Sequence, residues 1–119
     1  MSLTHSERPL YEVKAGLFKG LAHPLRIRLL ELLADGTERS VAELQRSTGM
    51  EPSHLSQHLS VLRRHRLVSS DRRASHVYYR ITAPEVAEFL AVARRLLAAV
   101  LVSDAEQFGR ISELPELRP

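Results

Sequence analysis

The sequence predicts a mainly α-helical domain with one small β-hairpin. Three observations carry that prediction. Apolar residues recur at steps of three and four along most of the chain. The hydrophobic content of 44% is almost all aliphatic, with 5% aromatic residues and no Trp, which suits helix packing. One short stretch breaks the pattern: Val77, Tyr79 and Ile81 alternate with Tyr78, Arg80 and Thr82, the period of a strand.

At 119 residues the chain has room for one modest core. Residues 1–9 are polar and are expected to be a flexible N-terminus. Residues 10–110 are expected to form the domain, and 111–119 an irregular tail with Pro115 and Pro119. From Leu10, the positions Leu10, Val13, Leu17 and Leu21 trace one face of a first helix. Pro24 suits the first turn of a second helix, which carries Leu25, Ile27, Leu29, Leu30, Leu32 and Leu33. Asp35-Gly36 ends it, because glycine takes the left-handed terminating conformation without strain.

Ser40-Val41-Ala42-Glu43 has the spacing of a capping box, in which the serine hydroxyl and the glutamate carboxylate each satisfy the other residue's backbone N–H. The short helix it opens directs Val41 and Leu44 inward and ends at Thr48-Gly49. Pro52 opens the next, with Leu55, Leu59 and Leu62 as its apolar stripe. Two short helices around a glycine turn form a helix-turn-helix. Leu67–Ser70 is the expected partner of the alternating strand, joined to it by the loop Asp71–Ser75. That loop lacks the glycine of tight two-residue turns, so a longer or mobile tip is expected. Pro84 starts the last helix, on which Val86, Phe89, Leu90, Ala93, Leu96, Leu97 and Val100 recur towards Phe108.

Charge is concentrated. Residues 53–80 hold Arg63, Arg64, Arg66, Arg72, Arg73 and Arg80 against Asp71 alone, a local +5 within a chain of +3, so the remainder carries −2. His54, His58, His65 and His76 fall in the same window. A basic patch on one continuous segment suits nucleic acid, and a solvated charged face is its plain alternative. There is no cysteine, which excludes disulfides and thiolate metal ligation within the chain. No N-terminal stretch resembles a signal peptide, and the apolar run Leu96–Val102 is far short of the ~18 residues of a membrane span. A soluble cytoplasmic protein is the expectation.

Leu21-Ala22-His23-Pro24-Leu25-Arg26-Ile27-Arg28-Leu29-Leu30, Ser53-His54-Leu55-Ser56-Gln57-His58-Leu59-Ser60-Val61-Leu62, Leu67-Val68 and Val77-Tyr78-Tyr79-Arg80-Ile81 together resemble the ArsR/SmtB family of bacterial winged-helix repressors. The likeness spans roughly residues 10–100, and its pieces are specific as a set rather than singly. The resemblance implies a winged helix-turn-helix whose hairpin is the wing. It also implies a cytoplasmic homodimer joined through its first and last helices, and repression by operator binding, relieved by an effector.

The reading helix of this motif class meets bases in the major groove near its N-terminus. With Leu55, Leu59 and Leu62 docking it, Ser53, His54, Ser56, Gln57 and Ser60 lie on other faces. Gln57 can pair bidentately with adenine, and Ser53 or Ser56 can reach a base or a phosphate. His58 fits the family pattern, as a phosphate donor or a support of the turn. Arg63 and Arg64 suit phosphate contact or the helix-end dipole equally. Arg72 and Arg73 at the wing suit the minor groove or the backbone, with Ser75 and His76 beside them. Tyr78 and Tyr79 are expected to pack. Leu10, Val13 and Leu17 with Leu96, Leu97, Val100 and Leu101 form the expected dimer interface. The alternative is that all seven belong to one chain's core.

The family's metal sites do not carry over. One places cysteines where this chain has Ser40 and Ala42. The other uses histidines and carboxylates on the last helix, but residues 84–110 contain no His, and Glu85, Glu88, Asp104 and Glu106 alone suit a borderline-soft ion poorly. His54 and His58 are four apart, yet lack the intervening glutamate of a zinc hydrolase. No metal, no cofactor and no enzyme activity are expected, and the effector is expected to be non-metal or is left unidentified. The competing reading is a winged-helix protein-interaction module without operator binding.

Overall fold

The computed structural model describes residues 8–108. The expected flexible segment 1–9 lies outside them except for Arg8 and Pro9, as does the tail 111–119. Five helices and three strands follow in order: α1 (Leu10–Leu21), α2 (Pro24–Leu32), β1 (Arg39–Ser40), α3 (Val41–Thr48), α4 (Pro52–Arg64), β2 (Val68–Arg73), β3 (His76–Ile81) and α5 (Pro84–Phe108).

The helix ends follow the local chemistry. His23 caps α2, its Nδ1 accepting from the Leu25 N–H at 3.1 Å, with Pro24 in the first turn. α2 stops at Leu32, short of the Asp35-Gly36 expected from sequence. Beyond it the Leu32 carbonyl accepts from Arg39 Nε at 2.8 Å, and Asp35 turns the chain by accepting from the Thr37 N–H and hydroxyl. The capping box of α3 is formed: Glu43 N–H donates to Ser40 Oγ, and Ser40 N–H to Glu43 Oε1, both at 3.1 Å. Gly49 ends α3 at φ 69°, where any side chain is strained, and its N–H returns to the Gln45 carbonyl.

Leu29, Leu30, Leu33, Leu44, Leu55, Leu59, Leu62 and Val68 are fully buried, and Leu21, Met50, Leu67 and Ile81 complete the core. The leucine stripe of α4 therefore docks the helix-turn-helix onto α2 and β2. Leu25 and Ile27 do not join it. Both stay exposed, although Leu25 stands four residues before Leu29 and Ile27 three before Leu30.

Two features of the sheet depart from the sequence expectation. Its strand order is β1-β3-β2, so Arg39–Ser40 adds a third strand against Tyr78–Tyr79. A two-residue strand carries no periodicity to detect. The hairpin is also longer and tighter than expected. The register pairs Arg73 with His76, leaving a two-residue turn at Ala74-Ser75. Ala74 takes φ 54°, supplying the positive φ that a tight hairpin turn needs without the glycine that usually provides it. Before β2, Arg66 also takes positive φ, and the Thr82 hydroxyl donates to its carbonyl at 2.8 Å, fixing the base of the hairpin.

α1 and α5 leave an apolar face outward. Leu10, Tyr11, Phe18, Val92, Leu96, Leu97 and Val100 are each half or more exposed, whereas Leu17 packs against the core. Val13 and Leu101 are half-buried. Phe18 and Phe89 join the two helices at a ring separation of 5.7 Å. Among the described residues, none covers Leu96, Leu97 and Val100 fully. No described helix is long and apolar enough to cross a membrane.

Candidate nucleic-acid interface

With Leu55, Leu59 and Leu62 turned inward, α4 presents Ser53, His54, Ser56, Gln57, Ser60, Arg63 and Arg64 to solvent. Every residue assigned to reading or phosphate contact on this helix is therefore accessible, with one exception. His58 is half-buried, on the side of α4 that faces α2. Its ring packs against that of His23 at 4.3 Å, and its Nδ1 lies 3.5 Å from Arg26 Nη1. Burial pushes the His58 pKa down, and positive charge at His23, Arg26 and His54 pushes it further. His58 is thus a neutral, inward-leaning ring rather than a presented cation. A shallow groove along α4 is lined by Ser56, Gln57, Ser60, Val61 and Arg64, with His58 and Arg26 on its α2 side.

On the other side of α4 stands the hairpin. Side chains alternate across its two faces. Arg72 shares a face with Val68 and Ser70 and, through the register, with Val77, Tyr79 and Ile81. This face meets the core. Val77 and Tyr79 line a second groove with Ser56 of α4, Ser40 of β1, and Val41 and Ala42 of α3, rimmed by Ser75 and His76. Arg63 ties the end of α4 to the same face, Nη1 donating to Ser70 Oγ at 3.3 Å.

Arg73 lies on the opposite face. It is ion-paired with Glu38 and, at 3.4 Å, with Asp71, and its guanidinium sits 3.9 Å over the Tyr78 ring. The two wing arginines, equivalent in sequence, are therefore distinct in space. Tyr79 packs against the core as expected, and Tyr78 supports Arg73.

Sequence reasoning did not single out Arg26, His23 or Glu38. Their partners lie across the fold, Arg26 from His58 by 32 positions and Glu38 from Arg73 by 35, and no local spacing signals such pairs. Among the described residues, no group of three or more His, Asp or Glu side chains is placed to hold a metal ion.

The helix-turn-helix with a hairpin directly behind its second helix matches known proteins. The model of bacterial regulatory proteins of the arsR family matches residues 23–70. The transcriptional regulator Rv0081 of Mycobacterium tuberculosis, named as HTH-type, is 52% identical over 111 residues, covering 92% of this chain and 91% of that protein. The chain belongs to the arsR family. Family membership makes it a winged helix-turn-helix transcriptional regulator rather than an enzyme.

The structure agrees with that of other members. The crystal structure of Rv0081 superposes with a TM-score of 0.75 at 51% identity, covering 83% of this chain and 99% of that one. The homodimeric winged helix-turn-helix DNA-binding domain Mb0332 of Mycobacterium bovis gives 0.67 at 30% identity, covering 88% and 91%. The biofilm growth-associated repressor of Xylella fastidiosa is 38% identical over 76 residues, 64% of this chain and 66% of that protein. The matched family segment begins at His23 and ends at Ser70, so it contains all of α3 and α4 and stops before the wing tip.

Proposed function

We propose that this arsR-family regulator is a homodimeric repressor in the cytoplasm that binds an inverted-repeat DNA operator. The observation that carries the reading is the division of α4. A fully buried leucine stripe holds the helix, and an uninterrupted polar face with arginines at its end is left to solvent. Ser53, His54, Ser56, Gln57 and Ser60 read base edges or hold adjacent phosphates. Arg63 and Arg64 neutralise phosphates at the helix end, with Arg72, Ser75 and His76 at the wing. His58 and Arg73 take part by holding the structure around these contacts.

One reading helix spans only a few base pairs, and two placed about 34–36 Å apart read a symmetric site. The outward apolar face of α1 and α5 supplies the joint, through Leu10, Leu96, Leu97 and Val100, flanked by the partly buried Val13, Leu17 and Leu101. Relatives of this chain include a homodimeric DNA-binding domain and a repressor, which supports the same assembly and sign of control. Neither family metal site carries over, which supports release by a non-metal effector or one still unidentified.

Footprinting on DNA upstream of the regulator's own gene tests the proposal. A protected, two-fold symmetric segment that survives excess random competitor is expected. Protection that random DNA abolishes at equal concentration contradicts operator binding and favours an interaction module.

A further inference from the structure

Arg26 links its own helix to two others. From α2, its Nε donates to the Gly20 carbonyl at 2.7 Å and its Nη2 to the Lys19 carbonyl at 3.5 Å. Those carbonyls belong to the last turn of α1: that of Lys19 also accepts from the Ala22 N–H at 3.3 Å, whereas the residue four beyond Gly20 is Pro24, which has no N–H to offer. Its Nη1 reaches His58 on α4. Arginine has no acceptor, so a hydrogen bond across this 3.5 Å separation requires a lone pair on His58 Nδ1 and hence a neutral ring. The charged and titratable groups around that ring are His23, which caps α2, Arg26 from α2 and His54 from α4, and all of them disfavour protonation.

A second contact lies seven residues further on, at His65, which caps the end of α4. The His65 ring sits so close to Gly20 that a Cβ there would fall 2.7 Å from it. Seven residues are two helical turns, about 10 Å. The end of α1 is therefore tied to one side of α4 at two points, one polar and made through Arg26, the other a direct close packing contact.

We propose that Arg26 is a positioning residue for sequence reading: it fixes the rotation of α4 against the end of α1, through His58, rather than holding a phosphate. The proposal rests on α4 reading DNA. The leucine stripe alone leaves rotation loosely set, because apolar packing is not directional. A rotation of 20° moves side-chain tips about 2 Å on a helix of radius about 5–6 Å. Base-edge hydrogen bonds do not survive that displacement, whereas sequence-independent attraction to phosphates does. Arg26 should therefore govern discrimination more than total affinity.

The test uses the full-length chain and an operator selected from random DNA by the wild type, with a shuffled duplex as control. Arg26→Lys keeps the charge and loses the planar fork. For this variant, operator affinity falls about tenfold, affinity for shuffled DNA stays within about twofold, and the salt dependence on shuffled DNA is unchanged. Arg26→Gln loses discrimination equally. His58→Gln keeps an acceptor and retains discrimination, while His58→Leu loses it and adds nothing to Arg26→Lys. A phosphate role gives the opposite pattern. Lysine then substitutes, and Arg26→Gln weakens both duplexes alike with a salt slope shallower by about one. If the wild type selects no sequence, DNA reading itself fails. If it does and Arg26→Lys discriminates as well as wild type, the positioning role alone is overturned.

Discussion

Arg73, at the end of β2, is ion-paired with Glu38, which stands 35 positions earlier, just before β1. Asp71 and the Tyr78 ring complete its surroundings. The pair joins the wing to the segment that leads into the helix-turn-helix. It also holds the Arg73 guanidinium on the face of the hairpin away from the groove shared with α4, whereas Arg72 lies on the groove face.

The two wing arginines should therefore differ in mutation. Arg72→Ala is expected to weaken binding to any duplex and to make the salt dependence shallower by about one phosphate contact. Arg73→Ala should leave that slope in place. Its exposed ion pairs contribute only about 0–1 kcal/mol to stability. Fluorescence anisotropy over a salt series separates the two, and equal loss of slope in both variants would sink the division.

Gly20 is required by the close approach of His65. Alanine there gains up to about 1 kcal/mol in helix propensity. It forces a ring carbon away from 2.7 Å, and overpacking of this kind costs about 1–3 kcal/mol. Gly20→Ala should lower the melting temperature in the wild type. In a His65→Ala background, with the ring gone, it should raise it. The same sign in both backgrounds would show that the contact does not matter.

Acid should destabilise the fold before any carboxylate titrates. Burial lowers the pKa of both His58 and His65. His23, Arg26 and His54 add to the effect at His58, and Arg64, Arg26 and Lys19 at His65. Between the folded values and the ordinary histidine value of about 6.5, the unfolded chain binds more protons, so stability rises with pH. It is full above that value and lost as pH falls through the window. Urea midpoints should be lower at about pH 5.5 than at about pH 7.5, and His58→Asn should narrow the gap. A higher midpoint in acid would mean that the rings gain, rather than lose, protons on folding.

The apolar face of α5 makes a prediction about assembly. Leu96 is 65% exposed in the single chain, and a carboxylate there costs a monomer little. Buried unpaired in an interface, the same carboxylate costs several kcal/mol. Leu96→Glu should convert a dimer into a folded monomer by light scattering, with an unchanged far-ultraviolet spectrum. A dimer that persists would place the interface elsewhere.

Much of the fold was legible because the signals were local. Ser40 and Glu43 lie three apart, and their reciprocal bonds formed as their spacing requires. Leu55, Leu59 and Leu62 repeat at the helical period and are all buried. The hairpin was underestimated because its turn uses Ala74 at positive φ, a conformation that alanine does not advertise. β1 went unseen because two residues carry no period, and its pairing with Tyr78–Tyr79 is purely long-range. The reading face was visible as composition. Its supports were not: which of Arg72 and Arg73 faces the groove depends on register, and the meeting of Arg26 with His58 depends on the crossing of α2 and α4.

The central claim is that α4 reads DNA sequence. Anisotropy titrations of the dimer against its selected operator and a shuffled duplex of equal length test it most directly, at one fixed physiological salt concentration. Preference for the operator by a factor of about 1,000 or more is expected, with two chains bound per duplex. Equal affinity for the two duplexes would contradict it.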